Sequence, residues 1–119
     1  MRALVVDDDT AVRSFVRSIL QADNFETIEA MDGAEALELV NRLGGDVDVI
    51  VTDIQMPGMD GIRLAHAVTK AFPSLAIVLM SGYSAPENDF AFVQKPFSWM
   101  AMRSVVRRVA RKEPFPPAA

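Results

Sequence analysis

The chain has no cysteine, which excludes disulfide bridges, thiolate metal sites and cysteine nucleophiles. It has no excess of positive charge. The formal net charge is −4 and the pI about 4.9, which speaks against a general nucleic-acid-binding surface, and no DNA binding is expected. No apolar run approaches the ~20 residues needed to cross a bilayer. The first residues, "MRALVVDDD", carry no apolar stretch of signal-peptide length. A cytoplasmic protein without a membrane partner is the expectation. At 119 residues there is room for one domain, large enough to bury a proper core.

What the chain does have is a strict alternation. "ALVV" (3–6), "DVIV" (48–51), "AIVLM" (76–80) and "FAFV" (90–93) are short continuous apolar runs. Such runs fit strands buried on both faces of a parallel sheet. "ETIEA" (26–30) alternates and is more polar, as an edge strand does. Between the runs lie helical patterns. Val12, Phe15, Val16, Ile19 and Leu20 form one stripe at i, i+3, i+4, i+7 and i+8. "GAEALELVNRLGG" stops at a glycine pair, "GIRLAHAVTKAF" stops before Pro73, and "SWMAMRSVVRRVARK" starts at a capping Ser98. These patterns predict a doubly wound α/β domain with a five-stranded parallel sheet. The domain is expected over residues 1–112, followed by a flexible C-terminal tail over 113–119, "EPFPPAA".

In a sheet of this kind functional groups gather beyond the carboxyl ends of the strands. The first strand delivers Asp7 and Asp8, the third Asp53, the fourth Ser81 and the fifth Lys95. Taken alone, "DDD" is usually a solvated loop or helix start, and a lysine before proline is usually a surface lysine. The joint placement is what carries information. Three converging carboxylates repel unless a cation compensates, and an all-oxygen set suits a hard ion such as Mg2+. Magnesium leaves room for phosphate oxygens, and a nearby lysine and hydroxyl complete the needs of phosphoryl transfer onto a carboxylate.

These residues closely resemble the receiver domain of two-component response regulators, of the single-domain, chemotaxis-regulator-like kind. The likeness runs from Arg2 to about Lys112. "LVVDDD" resembles the family's acidic pair, "VTDIQMPGMDG" its phospho-acceptor loop, "LMSGY" its switch hydroxyl and "VQKPF" its lysine turn. The resemblance implies a flavodoxin-like strand order of 2-1-3-4-5. It also implies that Asp53 is phosphorylated by a histidine kinase or a histidine phosphotransfer protein. Mg2+ would be organised by Asp7, Asp8, Asp53 and the backbone carbonyl of Gln55, with Asp8 a direct ligand and Asp7 acting through water. Ser81 and Lys95 would each engage a phosphoryl oxygen, Phe92 would be the aromatic switch, and Gln55 and Tyr83 would tune dephosphorylation. Pro57 and Gly61 would fix the acceptor loop, and Lys95–Pro96 would be a cis peptide. The downstream protein target is not readable. "SGY" and "QKPF" also resemble receivers fused to histidine kinases.

One departure from that pattern is evident. Only "GYSAPEND" separates the fourth and fifth strands, whereas a parallel crossover normally takes at least ~10–12 residues. The fourth helix is therefore expected to be short or missing. Asp9 has no counterpart in the family pattern and is expected to cap the first helix.

Two other readings fit part of the chain. A haloacid-dehalogenase-type phosphatase would use Asp7 and Asp9 as D-x-D, but Ala11 stands where its threonine belongs and "DIQMPGMDG" is left unexplained. A degenerate receiver would act by protein contacts alone. His66, away from the strand ends, reads as a surface or half-buried residue. The basic face of the last helix reads as solvated, and the methionines and Trp99 read as packing residues.

Overall fold

The computed structural model describes residues 1–112; the tail expected over 113–119 lies outside the described residues. The elements in chain order are β1 (Arg2–Val6), α1 (Thr10–Ala22), β2 (Glu26–Ala30), α2 (Gly33–Arg42), β3 (Val49–Asp53), α3 (Gly61–Ala71), β4 (Ala76–Ser81), β5 (Ala91–Gln94) and α4 (Trp99–Ala110). All strand pairs are parallel and the order is β2-β1-β3-β4-β5. This is the doubly wound sheet expected from the alternation, with four helices among the described residues.

The continuous apolar runs are buried because both faces of the sheet are covered. On one face, Leu4, Val6, Ile50 and Leu79 meet Ala36 and Val40 of α2 and Leu64 and Val68 of α3. On the other, Val5, Val51, Val78 and Met80 meet Val16, Ile19 and Leu20 of α1 and Met102 and Val106 of α4. The alternation of side chains along each strand divides neighbouring residues between these two cores.

Each helix begins on a side-chain cap. Asp9 accepts from the Ala11 and Val12 amides, Asp32 from Glu35, Asp60 from Arg63 and Ser98 from Ala101. At the far end of α1, Asp23 pairs with Arg103 and Arg107 of α4. The Arg107 guanidinium holds the Asp23 carboxyl below the usual carboxylate range. After α2, Gly44 and Gly45 adopt left-handed conformations (φ 61° and 78°), and their amides return to the Asn41 and Val40 carbonyls. The glycine pair is thus a helix stop, as its composition indicates.

The β4–β5 connection, residues 82–90, contains no helix. Proline and polar residues in a segment too short for a crossover helix account for this. Phe90 and Phe92 lie half-buried against the core on that face, and the His66 ring meets Phe90 edge-on at 5.3 Å. His66 itself is exposed on α3.

Not every residue read as packing is inside. Met56, Met80 and Met102 are buried, but Met1, Met31, Met100 and Trp99 are exposed. The stripe on α1 is also wider than the sheet covers, which leaves Phe15 41% exposed.

Candidate functional site

The parallel sheet brings the carboxyl ends of β1, β3, β4 and β5 to one edge, and the expected polar residues meet there. Carboxylate oxygens of Asp7, Asp8 and Asp53 all lie within 4.8 Å of one another. Asp7 is fully buried, and both its oxygens are engaged. Oδ1 accepts from the Asp9 amide at 2.8 Å, and Oδ2 accepts from Lys95 Nζ at 3.0 Å. The same ammonium lies 3.2 Å from Asp53 Oδ1. Lys95 therefore bridges the first and third strands from the end of the fifth. Asp8 is exposed.

The electrostatics follow from this crowding. Burial pushes the Asp53 carboxyl above its ordinary range, Asp7 adds to the effect, and Lys95 opposes it. Burial pulls Lys95 down, but the hydrogen bond and charge of Asp7, then the charge of Asp53, outweigh it and leave the ammonium favoured. One lysine, paired with Asp7 and Asp53, stands against a cluster of three carboxylates, which leaves net negative charge. A hard cation fits this all-oxygen set, and the donors match what Mg2+ takes.

Across the site, the buried Ser81 hydroxyl donates to Gln55 Oε1 at 2.8 Å and accepts the Tyr83 amide at 3.0 Å. Tyr83 thus reaches the site through its backbone, while the residue as a whole is 72% exposed. Phe92 stands opposite Leu79 in the β4–β5 register, half-buried against the core and with no hydrogen-bonding role. Pro57 and Pro96 are exposed, and the Lys95–Pro96 peptide is cis.

Gly61 starts α3 directly under the acceptor strand. A Cβ there would lie 2.1 Å from the Asp53 carbonyl oxygen and 3.0 Å from Ile54 Cα. The Gly61 amide also donates to the Ile54 carbonyl at 3.0 Å. Gly61→Ala is accordingly expected to lower stability by about 1–3 kcal/mol, because backbone must move to admit the methyl group. Urea unfolding of parent and variant measures this; an unchanged midpoint would show that the approach is not confining.

Several contributors had no distinct signal in the sequence. Arg13 donates to the Asp7 carbonyl at 2.7 Å and pairs with Glu29, which steadies the turn after β1. Gly58 has φ 77°, the left-handed conformation that a glycine admits freely. Beside the acids runs an apolar groove of about 340 Å3 lined by Val12, Phe15, Lys95, Pro96 and Phe97. Phe15 stacks on Phe97 at 5.9 Å and meets Trp99 edge-on at 6.0 Å. Lys95 is common to the groove and the acidic cluster. Asp9, by contrast, is committed to capping α1, so it is not half of a catalytic D-x-D pair.

Comparison with known proteins gives a consistent answer. The family description "Response regulator receiver domain" matches residues 3–107. The sensor kinase CckA of Brucella abortus (strain 2308) is 35% identical over 118 residues, covering 92% of this chain. The chain spans 12% of that kinase's length. The crystal structure of a receiver domain from hybrid histidine kinase CckA superposes with a TM-score of 0.83 at 32% identity, covering 92% of this chain and 99% of that one. The response regulator TrrA from Thermotoga maritima, solved in complex with Mg(2+)-BeF, gives 0.80 at 30% identity, covering 91% of this chain and 97% of that one.

Proposed function

The chain belongs to the response regulator receiver domain family, and from that premise we propose that Asp53 accepts a phosphoryl group from a phosphohistidine. Domains of this type are signalling domains, and receivers interact with histidine kinases. The donor here would be a histidine kinase or a histidine phosphotransfer protein. The observation that carries the reading is the geometry around Asp53: two further carboxylates within 4.8 Å and an ammonium at 3.2 Å, all at the carboxyl edge of a parallel sheet.

In the transfer, an Asp53 carboxylate oxygen attacks phosphorus in line with the imidazole nitrogen. The O–P bond of an acyl phosphate forms as the N–P bond breaks, and the electron pair leaves with the imidazole. Lys95 stands where it can pair with a phosphoryl oxygen while keeping Asp7 as a second partner. Asp7, Asp8, Asp53 and the Gln55 carbonyl would hold Mg2+, which supplies positive charge against the carboxylates and the phosphoryl oxygens. The Ser81 hydroxyl then turns to a phosphoryl oxygen, and Phe92 responds, biasing a two-state equilibrium. Attack by water ends the signal, with Gln55 and Tyr83 setting its lifetime.

The apolar groove supplies a landing place for the donor. It ends on Lys95, so a helix seated on Phe15 and Phe97 would carry its phosphohistidine to Asp53. Phe15→Ser is expected to slow transfer from the cognate phosphodonor by about tenfold, the worth of one exposed aromatic anchor. Labelling by acetyl phosphate, which needs no docking, should be unchanged. An equal loss with both donors would place Phe15 in the fold rather than in recognition.

The test of the function itself is phosphotransfer profiling against the host's histidine kinases and phosphotransfer proteins. Rapid transfer from one of them names the pathway. No transfer from any, together with no labelling by acetyl phosphate, would overturn the proposal.

A further inference from the structure

The Ser81 hydroxyl has one hydrogen to give, and in this structure it gives it to the Gln55 side chain at 2.8 Å. Its oxygen is occupied as well, accepting the Tyr83 amide at 3.0 Å. Ser81 is buried, so solvent does not compete for that hydrogen, whereas Gln55 is exposed and finds water readily when released. A hydroxyl cannot donate the same hydrogen to Gln55 and to a phosphoryl oxygen. The two bonds exclude each other.

We propose that the Gln55 side chain is a latch on Ser81, holding the switch hydroxyl in the resting state and lowering the site's affinity for a phosphoryl group. This rests on the phospho-acceptor reading above and adds a regulatory element to it. Gln55 acts here as a positioning residue, through its side-chain amide and separately from its backbone carbonyl. This effect is on the equilibrium between unswitched and switched states, and it is separate from any part the side chain plays in guiding water. The bond given up is a neutral one to an exposed partner, with a net worth of about 0.5–1.5 kcal/mol. Removing it should therefore favour the phosphoryl-bound state by about two- to tenfold.

The latch also has an outlet. When Ser81 turns, the Tyr83 amide loses or reorients its acceptor, and Tyr83 is the second residue of the helix-free segment 82–90. The release of Gln55 and the movement of that segment are thus one event, coupled through a single oxygen atom.

The experiment is titration with beryllium fluoride in saturating Mg2+, a phosphoryl mimic that forms no acyl phosphate and is not hydrolysed. The proteins are the parent, Gln55→Leu, Ser81→Ala and the double variant. Leucine keeps side-chain bulk over the site and removes the acceptor. The latch predicts that Gln55→Leu binds the mimic about two- to tenfold more tightly than the parent, and that this gain disappears in the Ser81→Ala background. Equal affinity of Gln55→Leu and parent overturns it, and so does a gain that survives without Ser81. A residue that only shields water would change the rate of dephosphorylation and leave these affinities alone. If the parent itself shows no Mg2+-dependent binding of the mimic, the phospho-acceptor reading fails, and the latch with it.

Discussion

Replacing Asp53 with Asn is expected to reduce labelling by acetyl phosphate to background, and chelating Mg2+ from the parent is expected to do the same. The amide keeps the shape of the carboxylate, so the fold should tolerate it. What it lacks is an anionic oxygen to form the acyl phosphate. Asp53 is held among Asp7, Asp8 and Lys95, and its carboxyl is raised chiefly by burial and secondly by Asp7. An acid raised in the folded state lowers stability as pH climbs from its unfolded value through its folded one. Asn removes that cost, so the variant's melting temperature at neutral pH should equal or exceed the parent's. Loss of labelling with retained stability identifies the acceptor. Undiminished labelling of the variant would place the phosphoryl group on another residue.

The site was legible in the sequence for a structural reason. A parallel sheet buried on both faces writes itself as short continuous apolar runs, and the first or second residue after each run falls at the carboxyl edge of the sheet. Asp7, Asp53, Ser81 and Lys95 could be placed by counting. Helix boundaries were legible where glycine, proline or serine mark them, as at Gly44 and Ser98. The missing crossover helix was legible too, because chain length between β4 and β5 is a hard limit.

What sequence does not show is how wide a covered face is. Phe15 fits the apolar stripe of α1 as well as Ile19 does, yet Ile19 is fully buried and Phe15 is 41% exposed. The pattern on α1 does not show the difference: Phe15 meets Phe97 and Trp99 at the start of α4, while Ile19 lies in the core between α1 and the sheet. Trp99 and Met100, on the first turn of α4, are exposed as well. Nor does spacing reveal that the Gln55 amide meets the Ser81 hydroxyl. That contact depends on the path of the loop after β3, shaped by Gly58 and by the close approach of Gly61.

The short β4–β5 connection bears on how a signal leaves the domain. In this chain the segment after Ser81 carries no helix, and Phe90 and Phe92 cover the sheet where one would otherwise lie. Under the proposed latch, a change at Ser81 would pass into this helix-free segment through the Tyr83 amide, and the exposed Tyr83 would be the first side chain to carry it to the surface.

The three adjacent aspartates separate most sharply under mutation. Asp8→Ala is expected to abolish Mg2+-dependent phosphorylation, while Asp9→Ala should leave phosphorylation intact and lower stability by about 0.5–2 kcal/mol. Asp7 has both oxygens occupied, by the Asp9 amide and by Lys95. Asp8 is exposed beside Asp7 and Asp53, which suits direct ligation of a cation that keeps several waters. Asp9 points the other way, its Oδ1 taking the Ala11 amide at 2.9 Å and the Val12 amide at 3.4 Å. A negative charge at that end of α1 is also favoured by the helix dipole. Labelling at fixed acetyl phosphate across a Mg2+ titration, with thermal melts of the same proteins, measures both effects. If both variants lose labelling equally while melting alike, the division between ligand and cap is wrong.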